Sequence, residues 1–145
     1  RTWYWNRYPG ARVDTWGPMY QFSDEELWRD WNFSELYPDW SEVRGYFNHV
    51  DEKQNLSKDI SYNTDVEAAR FDEDLAPVRE ALDSKSTGRH QVLARYVVLC
   101  TGFGSKPYTP EIPGLDTFKG EKHHTARWPQ NGTSLAGKRV GVIGT

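Results

Sequence analysis

A single cysteine in 145 residues rules out an internal disulfide, and with it the stapled scaffold of a small secreted domain. Cys100 lies in the apolar run YVVLC, where its plain reading is a small buried hydrophobe rather than a reactive thiol. No apolar run approaches the roughly 18 residues of a membrane span, and the opening RTWYWNRYPG lacks the apolar core of a signal peptide. Both absences point to a cytoplasmic protein. Basic excess is missing too, because 18 Lys and Arg face 21 Asp and Glu for a net charge of −3. The basic residues are scattered, which leaves no electrostatic footprint for nucleic acid. No Cys, His or carboxylate recurs at ligand spacing around His123 and His124, so no metal is expected. The chain opens without Met and stops at VIGT, within what reads as a glycine-rich turn, so an internal segment of a longer protein is expected.

Aromatic residues are abundant instead. Seven Trp, eight Tyr and six Phe make 14% of the chain, and each ring can bury about 150–250 Å², offsetting a low aliphatic share. The run Trp3, Tyr4, Trp5, Tyr8 is too dense for one core-facing stripe. Some of these rings are expected to face a ligand or a further part of the protein.

Residues 1–22 read as extended chain and loop, with turn signals at Pro9-Gly10 and Gly17-Pro18. Ser23 with Glu26 predicts a capping box that opens a short helix, and Asp39 with Glu42 repeats the spacing before a second helix over about 41–54. In that helix Trp40, Val43, Phe47 and Val50 form the expected apolar stripe. Short strands are expected at 60–62 and 66–71. A hairpin region DSKSTGRH follows, then a strand pair at 92–94 and 96–100, while LAPVREAL is ambiguous between helix and strand. YVVLC suits a strand buried on both faces. The Pro- and Gly-rich residues 104–137 read as a long ordered connector, and RVGVIG as a new buried strand, with a boundary near Ala136-Gly137.

Two of these strands end in glycine. VGVIGT breaks at Gly144 as a dinucleotide-binding strand does before its tight turn, though a plain strand ending in glycine fits as well. TGFG puts Gly102 and Gly104 after YVVLC, where a backbone can approach a ring or phosphate closely; a simple tight turn is the equal alternative. In WYWNRYPGARVD a Pro-Gly turn separates Trp3 from the carboxylate of Asp14 and would bring both to one site. The plain alternative for Asp14 is an exposed turn residue.

FKGEKHHTARWP fits F-x-G-x-x-x-H-x-x-x-W-P through Phe118, Gly120, His124, Trp128 and Pro129. That pattern resembles the fingerprint of type I Baeyer–Villiger monooxygenases, and the amino-terminal W-x-x-x-x-Y-P-G-x-x-x-D resembles the family's second signature. TGFG and GVIGT follow in the family's order, so the resemblance covers essentially the whole chain. It departs at Arg1, where the family has glycine, and in LAPVREALDSKSTG, which fits the expected hairpin poorly.

The resemblance implies an α/β, FAD/NAD(P)-binding Rossmann-like flavoprotein with two dinucleotide-binding domains, present here as an incomplete fragment. Residues 1–103 would belong to the FAD-binding domain, 104–137 to the linker, and 138–145 to the first strand of the NADP-binding domain. It implies FAD and NADPH as cofactors, and a small ketone and O2 as substrates. One oxygen atom would be inserted beside the carbonyl through a C4a-peroxyflavin, giving an ester or lactone. Thr2, Trp3, Tyr4, Trp5, Tyr20, Val66, Gly102 and Phe103 would lie on the FAD side. Arg12, Val13 and Gly144 would lie on the NADP side, and Asp14 near both rings, pairing there with an arginine supplied from outside this segment. His124 would act as a hinge residue rather than an acid or base, with Trp128-Pro129 stiffening the linker. Two other readings are an N- or S-oxygenating flavin monooxygenase, whose related signature usually lacks Trp-Pro, and an aromatic-rich binding module without a cofactor.

Overall fold

The computed structural model describes residues 2–71, 78–84, 88–102, 104 and 106–144. Contacts divide the chain into two units, one of Arg1–Asn55 with Gly104–Thr145 and one of Leu56–Phe103. This division joins the amino-terminal residues to residues 104–145.

The first unit is built on helix α3, Trp40–Gln54. Asp39 caps it by accepting from the backbone N–H groups of Ser41 and Glu42, which supplies two of the orphan donors every helix start leaves. The Ser41 hydroxyl and the Glu42 amide hold the Asp39 carboxyl below its ordinary value of 3.8. Glu42 does not reach back to close the expected box. Its carboxylate takes the Ser34 amide at 2.6 Å and the Ser34 hydroxyl at 3.0 Å, pinning the preceding loop. At the far end Asn55 adopts the left-handed conformation, φ 50°, that ends helices.

The buried face of α3 is Val43, Tyr46 and Val50. Phe47, expected in the stripe, is half-exposed, and Tyr46 takes the interior place with no exposed surface. The Tyr46 ring packs with those of Trp31 and Phe33 at centroid distances of 5.7 and 5.9 Å. Its hydroxyl accepts from the Phe22 N–H at 2.8 Å, so the buried polar atom is satisfied. Leu27 completes the cluster from helix α2, Glu25–Trp28. The cap of α2 is Asp24, accepting from the Glu26 N–H, and not Ser23 as the spacing predicts; Asp24 stands one residue nearer and makes the shorter loop back to the amide.

The amino-terminal residues are more ordered than a loop. Helix α1 spans Thr2–Trp5 and a 3-10 turn spans Gly17–Tyr20. Between them Pro9 and Gly10, with φ 80° at glycine and Ala11 N–H donating to Tyr8 O at 3.0 Å, form a type II turn. The chain then runs antiparallel to 36–40: Val13 N–H donates to Pro38 O and Trp40 N–H to Ala11 O. Gly17 is required where it stands, since a Cβ there would meet the Phe33 ring at 2.6 Å.

The second unit is an antiparallel meander of β1 (Thr64–Phe71), β2 (Val78–Ser84) and β3 (Gly88–Ala94), in that order across the sheet. Ser84 faces Gly88 at the hairpin, and a bulge lies between Val66 and Ala68. The ambiguous LAPVREAL is therefore strand over its described part, Val78–Leu82. No strand forms at 60–62, where a turn at Tyr62 and Asn63, φ 54°, precedes β1.

The expected strands at 96–100 and 138–144 do not form either. Val98 is 82% exposed and Val142 84% exposed, and Cys100 is exposed rather than buried. A strand requires a neighbour to take its backbone groups, and no described residue forms a strand ladder with either segment. Among the described residues no helix is long and apolar enough to cross a membrane.

Replacing Asp39 by Ala is expected to lower stability by about 1 kcal/mol at neutral pH. Because the folded-state pKa is depressed, that advantage is complete above the ordinary value of 3.8 and shrinks as pH falls below it. Urea denaturation of wild type and variant at pH 7 and pH 3 measures both.

Candidate functional site

Alternation after the type II turn sorts the amino-terminal signature. Ala11 and Val13 are buried while Arg12 and Asp14 face solvent. Any ligand contact by Val13 is thus made by its backbone. Arg12 is held by the Glu35 carboxylate and by Tyr37 O at 3.0 Å. Among the described residues nothing pairs with Asp14, which leaves an open carboxylate one strand step from a fixed guanidinium. The rings of Tyr4 and Trp5 are about half-exposed and stand edge to face, 5.0 Å apart. Trp3 meets Tyr20 edge to face at 6.3 Å, so two expected site residues are in contact.

The second signature is a folded piece in its own right. The Phe118 ring covers Gly120 so closely that a Cβ there would lie 2.5 Å from it. That contact is a physical reason for F-x-G. His124 caps a 3-10 turn over Thr125–Arg127: Nδ1 accepts from the Ala126 N–H at 3.1 Å, and Nε2 lies 3.0 Å from Tyr108 O. A ring nitrogen that accepts from an amide carries no proton, so the proton is on Nε2 and is donated to the Tyr108 carbonyl. Both nitrogens are therefore committed to backbone.

Trp128 packs against His123 with centroids 5.2 Å apart. His123 Nε2 also meets Glu121 at 3.1 Å, and Glu121 pairs with Lys138. Lys138 first and His123 second hold the Glu121 carboxyl below its ordinary range. Lys122 donates to Leu115 O at 2.9 Å. Among the described residues no three His, Cys, Asp or Glu side chains gather as a metal site.

The two signatures touch. The Thr125–Arg127 turn packs on α1, and the Gln130 side-chain amide donates to Tyr4 O at 3.2 Å across 126 positions of sequence. Gln130 was not expected from the sequence; its only signal was its place beside Trp128-Pro129. Val66 and Gly102 lie in the other unit, both exposed. Gly102 and Gly144 have φ of 72° and 108°, with open space where a Cβ would stand. Phe103 lies outside the described residues.

The chain matches the flavin-binding monooxygenase-like family over residues 19–145. It is 51% identical over 143 residues to cyclopentanone 1,2-monooxygenase of Comamonas sp., covering 99% of this chain and 25% of that protein. It is 48% identical over 144 residues to the FAD-binding monooxygenase VdtE of Byssochlamys spectabilis, with the same coverage. Among solved structures, oxidized steroid monooxygenase bound to NADP superposes with a TM-score of 0.83 at 42% identity, over 99% of this chain and 27% of that one. The chain thus spans about a quarter of the length of the curated relatives it matches. This likeness bears out the expected α/β, Rossmann-like flavoprotein class, of which the 145 residues form a part.

His124→Asn keeps an acceptor for the Ala126 amide but cannot also reach Tyr108, whereas His124→Ala loses both bonds. With each bond contributing about 1 kcal/mol, tryptic cleavage at Lys119 and Lys122 is expected to accelerate by roughly fivefold per lost bond, once in the His124→Asn variant and further in His124→Ala. Limited proteolysis of the intact protein ranks the three.

Proposed function

The chain belongs to the flavin-binding monooxygenase-like family, and from that premise we propose that it is a segment of a type I Baeyer–Villiger monooxygenase. The whole protein would use FAD and NADPH to insert one oxygen atom from O2 beside the carbonyl of a small ketone, giving an ester or lactone, and would work in the cytoplasm. The observation that carries this reading is the 51% identity to a cyclopentanone monooxygenase across 99% of the chain, with both signatures included.

The residues fit planar, phosphate-bearing cofactors. Tyr4 and Trp5 present half-exposed rings for stacking, and the positive-φ Gly102 and Gly144 leave the backbone open to close approach. On this reading Thr2, Trp3, Tyr4, Trp5, Tyr20, Val66, Gly102 and Phe103 hold FAD, while Arg12, the backbone of Val13 and Gly144 face NADP. When bound, these cofactors supply the electrons and the activation of oxygen.

The protein's share is orientation and charge. Asp14 places an exposed carboxyl group, unpaired among the described residues, on the same face as Arg12, free to anchor a cation from elsewhere in the protein. His124 has both nitrogens bonded to backbone, so its role is to fix the linker. Residues 104–137 serve as that linker, and 138–145 lead into the NADP-binding domain. Trp128-Pro129 adds stiffness, since proline fixes φ and the indole is packed on His123.

The full-length protein is expected to be yellow and to oxidise NADPH faster with a cyclic ketone present, with a lactone as product. A colourless protein with a native fold overturns the reading, and an N-oxide as the product would move it to the N-oxygenating siblings. Asp14→Ala is expected to lower kcat/KM for the ketone by about tenfold or more while flavin content is kept, the pattern for a group that acts at the reacting centre.

A further inference from the structure

A four-residue helix cannot hold itself in place, because nucleating a turn costs more than its one or two hydrogen bonds return. Helix α1, Thr2–Trp5, is such a helix, yet it carries four of the residues assigned to the flavin. Its placement must come from outside. The contacts that reach it include the Trp3–Tyr20 pair, the Gln130 bond to Tyr4 O, packing of the Thr125–Arg127 turn and of α3, and Arg7.

Arg7 is a side-chain link to the core helix, beside the direct packing of α1 on α3. Its guanidinium lies over the Tyr4 ring at 4.9 Å and over the Trp40 ring at 5.2 Å. Trp40 is the first residue of α3, which Asp39 caps and which buries Val43, Tyr46 and Val50. Arg44, one turn on, also stands over Trp40 at 5.8 Å. Both distances of Arg7 fall within the range of about 6 Å where a cation is drawn to a ring face. Arg7 Nε is buried and finds no hydrogen-bond partner among the described residues. The contacts the Arg7 guanidinium does make are with the faces of two rings. Only arginine does this well, being planar, permanently charged and weakly hydrated, whereas lysine presents a compact, strongly hydrated charge.

We propose that Arg7 is a positioning residue for the flavin: stacked between Tyr4 and Trp40, it fixes α1 against α3 and so sets the surface on which FAD is bound. The proposal rests on the functional reading above. It goes beyond that reading in naming a residue outside those assigned to the cofactors and in stating the contact through which it acts.

The test uses full-length holoenzyme. FAD release on serial dilution is followed by the rise in flavin fluorescence for wild type, Arg7→Met, Arg7→Lys and Trp40→Leu, with thermal melting by circular dichroism alongside. Losing both ring contacts is expected to weaken FAD binding about tenfold in Arg7→Met. Arg7→Lys should recover only part of that loss, and the Arg7→Met/Trp40→Leu double variant should be no weaker than the worse single one. A lowered melting temperature with unchanged FAD affinity, or full recovery by lysine, overturns the proposal. Should Arg7→Met fail to fold, Arg7→Lys decides: weakened FAD binding supports the assignment and wild-type affinity overturns it. A wild-type protein that holds no flavin overturns the functional reading as well, whereas a flavin-bound wild type with unaffected variants overturns Arg7 alone.

Discussion

The order of the first unit depends on the seat of one ring, that of Tyr46. It is fully buried and meets Trp31, Phe33, Phe22 and Phe47, and its hydroxyl is consumed by the Phe22 amide. Burying a side chain of this size contributes on the order of 3 kcal/mol, and few other buried residues share the load. The surrounding loops are held because they supply the walls: residues 22, 31 and 33 come from the stretch between the amino-terminal signature and α3. Glu42 and Asp39 then fix the near end of that stretch from the helix itself. A domain short of aliphatic residues has organised itself around stacked rings, which demand specific angles and distances where aliphatic packing would accept many.

This dependence explains which parts of the fold were legible in the sequence. The start of α3 was readable from Asp39 because a cap is a local device: an acceptor two and three residues before the amides it serves. The Pro9-Gly10 turn was readable for the same reason. Tyr46 was not, although it is the more important residue. On a helix, positions 46 and 47 both flank the line through 43 and 50, and polarity ranks Phe above Tyr for the interior. The choice was made by the Phe22 amide, which offers the hydroxyl a partner, and that amide is 24 residues away. Likewise Ser23 lost the cap of α2 to Asp24 by one residue, a margin that spacing alone does not resolve.

The apolar runs YVVLC and RVGVIG failed in a different way. Their composition is that of strands, and composition is a property of the segment, but a strand is a relation between segments. The described residues give β1, β2 and β3 to one another and leave no strand paired with residues 96–100 or 138–144. Their exposure, with Val98 and Val142 almost fully open, is far above what isolated apolar side chains on a finished surface require. The natural reading is that each run is completed by segments in the remaining three-quarters of proteins like those this chain resembles.

The candidate site was legible to the extent that its motifs are rigid. Four of the five fixed positions of the linker signature have a contact of their own: Phe118 over Gly120, His124 between an amide and a carbonyl, Trp128 on His123. None of these contacts calls for a proton donor or a metal. The chemistry encoded there is geometric, which accounts for histidine being placed where asparagine could cap but not also span to Tyr108. What the sequence could not display is that the two signatures form one structure. Gln130 reaches Tyr4 over 126 positions, while Arg7 ties the same tyrosine to Trp40. Tyr4 is therefore gripped from the connector by its carbonyl and from the core helix by its ring. A displacement of the connector cannot leave α1 where it was unless one of those two grips is broken. The pairing of the signatures in one chain thus has a mechanical basis, because the surface carried by the first is held in register by the second.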